Sequence, residues 1–245
     1  VEAAGGFPAF DIAKWDGSAW SSVGGATFTL DSGDRVESLE VFDDGTGAAL
    51  YAGGVFDAFG DTFVGGSIAR WDGSFWIDVA GGVTPGTDTL QIVYALEAAD
   101  LGDGEKLYAA DQFAGAGITP ASNIAAWDGS TWSPLGGGIT TVPGCDLDFV
   151  FTLNAAPDGA GGTELLVGGL FCGTEGNPVR DLAAWDGSAW SPHGPDFNNT
   201  GFGSGVRSII AFDDGSGDAI WVGARNERGI ARQPIGGTGW DPVNQ

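Results

Sequence analysis

The chain of 245 residues has no methionine, one histidine, two cysteines, and nine basic residues against 33 acidic ones. Each scarcity closes a class of function. At a formal net charge of −24, a nucleic-acid backbone or an anionic membrane surface would meet a repulsive field, so nucleic acid is excluded as a partner. The lone His193 leaves no basis for a histidine-based zinc site or a Ser-His-Asp triad. No stretch approaches the roughly 18 apolar residues of a membrane-spanning helix, and no segment carries a helical period. No glycine-rich run precedes a helix, so the 45 glycines belong to turns and strand ends rather than to a phosphate cradle. A chain that starts at Val1 without any methionine reads as a mature form or a fragment whose leader has been removed.

What is present is repetition. The phrase IAKWDGSAW at 12–20 returns with small changes at 68–76, 124–132 and 182–190, and its first tryptophans, Trp15, Trp71, Trp127 and Trp185, are 56, 56 and 58 residues apart. Asp-Gly between alternating apolar flanks supplies the positive φ of a tight hairpin, so each phrase reads as two strands. A second hairpin precedes the last three phrases: 36–42 with 49–56, 93–99 with 106–113, and 150–156 with 164–171, followed by a fourth at 206–212 with 219–222. Their connectors, at 43–47, 101–104, 157–161 and 213–217, are Asp/Gly-rich turn chemistry. Four short antiparallel strands per repeat cannot bury both faces alone and must stack radially or linearly. The absence of helices and the broad tryptophan surfaces favour the radial solution. The expectation is an all-β fold: one domain over 1–245 forming a five-bladed β-propeller of four-stranded antiparallel blades. The units fall at 1–24 (partial), 36–80, 92–136, 149–194 and 206–240, so the first blade is incomplete. Gly5-Gly6-Phe7 reads as the end of a second strand there, and in the last unit Gln233 stands where tryptophan is expected.

The run Leu50-Tyr51-Ala52-Gly53-Gly54, then a loop, then Ile68 to Asp72 and Trp76, resembles the kelch repeat; the order returns at Gly168-Gly169, Trp185-Asp186 and Trp190. The spacing from the aromatic to the later tryptophan is tighter than in kelch units, and the second repeat has Ala110-Asp111 in place of the glycine pair. The phrase is closer still to the kelch-like repeats of large secreted bacterial proteins and of fungal cell-surface proteins. That resemblance implies a propeller and leaves the activity open.

Candidate functional residues follow from positions that differ between otherwise similar units. Aligning Val36, Val93, Val150 and Val206 puts Glu37, Tyr94, Phe151 and Arg207 at one position, with Asp34, Gln91 and Asp148 two residues before the valine. These seven are expected to line one mouth of a central channel as a ligand-binding site. Asp34, Glu37 and Asp148 would suit a glycoside hydrolase, which needs two carboxyl groups about 5–10 Å apart; the competing reading has the acids hydrating a loop or pairing with Arg35 and Arg207. Asp43, Asp44, Asp213 and Asp214 offer oxygens for calcium, although a hairpin turn explains them equally. Tryptophans beside Asp and Asn side chains, together with variable loops at 57–66, 114–122 and 173–180, suit a lectin. Asn198-Asn199-Thr200 matches a glycosylation sequon. Cys145 and Cys172 lie equidistant from the turn near 158–161, at the open end of one hairpin, which predicts a disulfide and an oxidising compartment. His193, aligned with Val23, Val79 and Leu135, reads as a packed or edge position. The expected function is a non-catalytic, secreted or cell-surface binding or structural module. It requires no cofactor, with calcium as a candidate, and its partners are a glycan or an extracellular protein. The alternatives are a lectin and a glycosidase. The incomplete first blade also offers an edge for self-association.

Overall fold

In a computed structural model of the protein, the structure describes residues 3–8, 12–24, 34–56, 58–59, 62–86, 91–194, 205–224 and 229–243. Among them every regular element is a β-strand. Four antiparallel four-stranded sheets follow one another along the chain. The first comprises Arg35–Asp43, Ala48–Val55, Ile68–Trp71 and Trp76–Asp78, and the second Ala95–Asp100, Glu105–Ala110, Ile124–Trp127 and Trp132–Pro134. The third comprises Asp148–Pro157, Thr163–Phe171, Leu182–Trp185 and Trp190–Pro192. The fourth comprises Val206–Asp213, Asp218–Ala224, Ile230–Pro234 and Asp241–Pro242. In each, sequence neighbours pair, so the first and fourth strands are the two edges.

The Asp-Gly turn makes the outer hairpin by local chemistry. Asp128 Oδ1 accepts the backbone N–H groups of Ser130 (2.8 Å) and Thr131 (2.7 Å), and Gly129 supplies φ +94°. Asp16, Asp72 and Asp186 repeat the pattern. The turn fixes a register in which Trp71 opposes Trp76, Trp127 opposes Trp132, and Trp185 opposes Trp190. Each pair packs with ring centroids 5.2–5.5 Å apart.

Those pairs face backwards along the chain. Trp127 and Trp132 share a buried cluster with Phe42, Tyr51 and Ile68 of the first sheet, and Trp185 packs with Tyr108, Ile124 and Ala126 of the second. The second tryptophan of each pair also donates its indole N–H to a carbonyl of the preceding unit. Trp76 reaches Val23 (3.5 Å), Trp132 reaches Val79 (3.0 Å), Trp190 reaches Leu135 (2.8 Å) and Trp240 reaches His193 (3.2 Å). His193 thus occupies the packed position expected from its alignment, half-buried and edge-on to Trp240 at 6.4 Å.

Two further ties join units. Val83–Thr84, just after the first sheet, pairs with Gly115–Ala116 inside the second unit, and Ile139–Thr140 pairs with Gly173–Thr174 in the third. The first strands of the last three sheets, each a sheet edge, are capped by the unit before. Ser38 Oγ accepts Leu96 N–H (3.1 Å), Glu97 Oε1 accepts Ala155 N–H (2.8 Å) and Asn154 Oδ1 accepts Ala211 N–H (3.2 Å). Side-chain acceptors there satisfy edge amides that would otherwise be left without partners.

Two sequence expectations change. Gly5-Gly6 forms the turn of a short hairpin, Ala3–Ala4 with Phe7–Pro8, rather than ending a long second strand; it matches the hairpins Gly115–Ala116 with Thr119–Pro120 and Gly173–Thr174 with Asn177–Pro178. Glycine at position 5 is required because a Cβ there would come within 2.7 Å of the Trp20 ring. The last unit runs beyond 240: Asp241–Pro242 is its fourth strand, and Trp240 fills the tryptophan position displaced by the altered turn. Cys145 and Cys172 form a disulfide with Cα atoms 6.2 Å apart, as their placement about the turn predicted. No helix among the described residues is long and apolar enough to cross a membrane.

Replacing Trp132 by Phe keeps an aromatic ring but removes the indole bond to the Val79 carbonyl, which retains the Gly82 N–H, and should destabilise the protein by about 0.5–1.5 kcal/mol. Trp132→Ala should cost about 3–5 kcal/mol. Urea denaturation followed by circular dichroism reads both. Because the disulfide spans 27 residues, Cys145→Ser with Cys172→Ser should lose about 2–4 kcal/mol in the same measurement.

Candidate functional site

Four of the residues singled out from the first strands, Glu37, Tyr94, Phe151 and Arg207, are linked in a row through Arg35, and a bulge aims three of them. Register shifts occur between Val36 and Ser38, between Val150 and Thr152, and between Val206 and Ser208, so Glu37, Phe151 and Arg207 are the extra residues. A bulge bends the strand and redirects that side chain. Glycines opposite make room: a Cβ on Gly54 would lie 2.1 Å from the Arg35 carbonyl oxygen, and one on Gly169 would lie 2.0 Å from that of Phe149.

The result is a continuous row. Arg35 pairs with Glu37 and donates to Tyr94 Oη at 3.2 Å. The Tyr94 ring meets Phe151 edge-on at 6.3 Å, Phe149 stacks on Phe151 at 6.3 Å, and the Arg207 guanidinium lies 3.7 Å above the Phe151 ring centre. Glu37 and Arg207 are exposed, while Tyr94 and Phe151 are half-buried. Asp34 and Gln91 are half-buried; the Gln91 carbonyl accepts Ser67 Oγ at 2.9 Å. Of the two arginines proposed as partners for the acids, Arg35 takes that part and Arg207 rests on an aromatic ring instead.

The centre of this region is a residue that sequence reasoning singled out only as a departure. Asp111 holds the position of Gly54 and Gly169, as the matching bonds from their N–H groups to Ser67, Asn123 and Asp181 carbonyls show. It adopts φ +153° and is fully buried. Its Oδ1 accepts Val150 N–H from the next sheet at 3.0 Å, while Oδ2 has no hydrogen-bond partner among the described residues. Burial pushes its carboxyl up to about 7; the Val150 N–H opposes that, and the charges of Asp148 and Glu37 add to it. Asn123, itself at φ +63°, spans the same junction by donating to the Ile139 carbonyl (3.0 Å) and to Asp148 Oδ2 (3.1 Å). An acid at a glycine position was the available signal; that it would be dry and sit beside two other acids depended on the packing of neighbouring sheets.

Of these carboxylates two are engaged and the third is half-satisfied and dry. Glu37 is ion-paired, Asp148 holds an amide, and Asp111 is closed to solvent. At the Asp-Asp-Gly turns, Asp43 Oδ1 accepts Gly45 and Gly47 N–H, and Asp213 Oδ1 accepts Gly215 and Gly217 N–H. Asp44 binds Thr46, Tyr51 and Arg70, and Asp214 binds Ser216. Among the described residues no group of three or more acidic, histidine or cysteine side chains is gathered for a metal. The variable loops at 114–122 and 173–180 are drawn into the small cross-unit sheets, and the sequon at 198–200 lies outside the described residues. Comparisons with protein-family models, with curated proteins and with solved structures find no match.

Asp111, buried, and Glu97 and Glu164, half-buried, have raised values, to about 7, 6 and 6 respectively, chiefly through burial. The folded state therefore binds more protons than the unfolded state between about pH 4 and 7, and stability falls as pH rises through that window. Asp128, held down to about 2 by its turn N–H bonds, acts in the opposite sense, its contribution being lost as pH falls below about 4. A stability maximum at about pH 4 is expected. Asp111→Asn retains the acceptor for Val150, so it should gain about 1–3 kcal/mol at pH 8 and flatten the slope between pH 5 and 8. Denaturation curves at the two pH values check this.

Proposed function

We propose that the protein is a non-catalytic, secreted or cell-surface binding module built as a kelch-like β-propeller, with five units of which the first is incomplete. Its recognition surface is the row Arg35–Tyr94–Phe151–Arg207. The observation that carries this reading is the convergence of Tyr94, Phe151 and Arg207, which share a variable first-strand position, with Arg35, which holds their counterpart Glu37, into a continuous line of side chains, two of them aromatic and flanked by cations. A repeat scaffold must keep packing positions alike, so a position that varies yet forms one surface is available for a ligand. The engagement of Glu37, Asp148 and Asp111 supports binding over the glycosidase alternative, which requires one acid free to protonate and a second to attack or activate water. The disulfide supports an oxidising compartment.

The ligand class favoured by this chemistry is a carbohydrate, the lectin reading. Half-buried aromatic faces stack on sugar rings, and guanidinium groups hydrogen-bond hydroxyls or the carboxylate of an acidic sugar. Calcium, if bound, would take the outward oxygens of the Asp-Asp-Gly turns. A glycan array probed with the purified protein in calcium should give selective binding. Phe151→Ala and Arg207→Ala should each weaken it at least tenfold, and a chelator should abolish it only if the turns hold calcium. A blank array, or binding indifferent to both substitutions, would reject the carbohydrate reading and leave an extracellular protein as the partner class.

A further inference from the structure

Consecutive sheets are stitched together by backbone N–H groups of the later sheet's first strand, or of the residues leading into it, and the acceptors differ in kind between junctions. Between the first and second sheets they are neutral: the Gly54 carbonyl accepts Val93 N–H at 2.9 Å and Ser38 Oγ accepts Leu96 N–H at 3.1 Å. Between the third and fourth, Asn154 Oδ1 accepts Ala211 N–H at 3.2 Å. Between the second and third, the acceptors are two carboxyl groups. Asp111 Oδ1 takes Val150 N–H at 3.0 Å and Glu97 Oε1 takes Ala155 N–H at 2.8 Å. A carbonyl, hydroxyl or amide makes such a bond at any pH, so the bonds alone do not call for acids. What the acids add is a charge that comes and goes with a proton.

Both acids sit where that charge is costly. Asp111 is fully buried, and its Oδ2 has no hydrogen-bond partner among the described residues. Glu97 is half-buried. The charged groups that face them are themselves acids: Glu37 and Glu40 on the first strand of the first sheet, and Asp148 on that of the third. Glu37 carries its own counter-ion in Arg35. Burial accordingly raises Asp111 to about 7 and Glu97 to about 6, the bonded amides opposing the rise and the neighbouring acids adding to it. The closed junction therefore holds protons that a water-filled one would release, and closure weakens as pH rises from about 4 to about 7. An ionised Asp111 would keep one N–H bond and one oxygen with none, and admitting water between the sheets relieves it.

The same junction carries the aromatic step of the row. Tyr94 N–H bonds the carbonyl of Ala110, the residue before Asp111, at 3.0 Å. Phe151 follows Val150, whose N–H Asp111 holds. The ring contact between Tyr94 and Phe151, at 6.3 Å, thus crosses from one sheet to the next beside the Asp111 carboxyl. We infer that Asp111 and Glu97 are positioning residues that make the junction of the second and third sheets a proton-operated hinge beneath the row. Protonated, they close the junction and hold Tyr94 against Phe151; ionised, they part the two sheets and break the row. The consequence for binding rests on the reading of that row as the recognition surface. A ligand spanning Tyr94 and Phe151 binds more tightly in mildly acidic than in alkaline solution, and its binding in turn favours proton uptake.

Nuclear magnetic resonance of the ligand-free protein tests the hinge between about pH 5 and pH 8. In the wild type the Val150 and Ala155 amide signals should move together over that range. Those of Leu96 and Ala211, held by Ser38 and Asn154, should stay in place. The Overhauser contact between the Tyr94 and Phe151 rings should be present at the lower pH and lost at the higher. Asp111→Asn combined with Glu97→Gln keeps both acceptors and should keep the ring contact throughout. Each single substitution removes one charge and should retain part of the contact at the higher pH; circular dichroism with urea midpoints identifies which variants are folded. A ring contact that persists across the range in the wild type overturns the proposal, as does its loss in a folded double variant, or an equal loss in both folded single variants. On the glycan array, wild-type binding should be at least about tenfold weaker at the higher pH and that of the double variant unchanged; equal wild-type binding at both overturns the linkage. A blank array rejects the carbohydrate reading alone, because the ring contact is measured without ligand and decides the hinge by itself.

Discussion

The hydrogen bond from a tryptophan indole to a carbonyl of the preceding unit is the contact on which the architecture depends. A four-stranded sheet of small, largely apolar side chains has two faces to cover, and a stack of such sheets could slide. The indole N–H removes that freedom, because a buried donor must meet its acceptor and only one relative placement of two units allows it. The ring itself fills the space over the preceding sheet while its partner tryptophan, fixed opposite by the Asp-Gly turn, widens the covered area. A local turn thereby sets a long-range distance: the Asp128 side chain defines where Trp132 stands, and Trp132 defines where the second unit sits on the first.

Around that repeated junction the first strands are arranged for variation. They are edge strands, so their outer amides need acceptors, and side chains of the preceding unit supply them. The bulge at Glu37, Phe151 and Arg207 turns one residue per strand out of the ladder and frees it from packing constraints. A rigid body with a variable position in each unit can carry a row of chemically different groups without altering its core, and Tyr94, Phe151 and Arg207, with Arg35 holding their counterpart Glu37, form such a row.

Departures from the repeat have physical meanings of different kinds. Asp111 in a glycine position brings a charge into a dry junction, where its carboxyl ties two sheets through Val150 and carries a raised pKa as the consequence. Gln233 in a tryptophan position bonds the Gly237 carbonyl at 2.8 Å, closing the longer turn that moves Trp240 into the place the motif had lost.

What the sequence determined by itself was the periodic part: all-β content, recurring four-stranded antiparallel sheets, and the pairing of Cys145 with Cys172. These are legible because turn chemistry and strand alternation act over a few residues and leave a local signature. Tertiary structure alone decided that Glu37 pairs with Arg35 while Arg207 lies on Phe151, that bulges aim the row, that Gly5-Gly6 is a hairpin turn, and that Asp111 is sealed from water. The row and the burial of Asp111 depend on side chains some 40 to 60 positions apart meeting across a junction between sheets, and the identity of a residue does not disclose which distant neighbour will stand beside it.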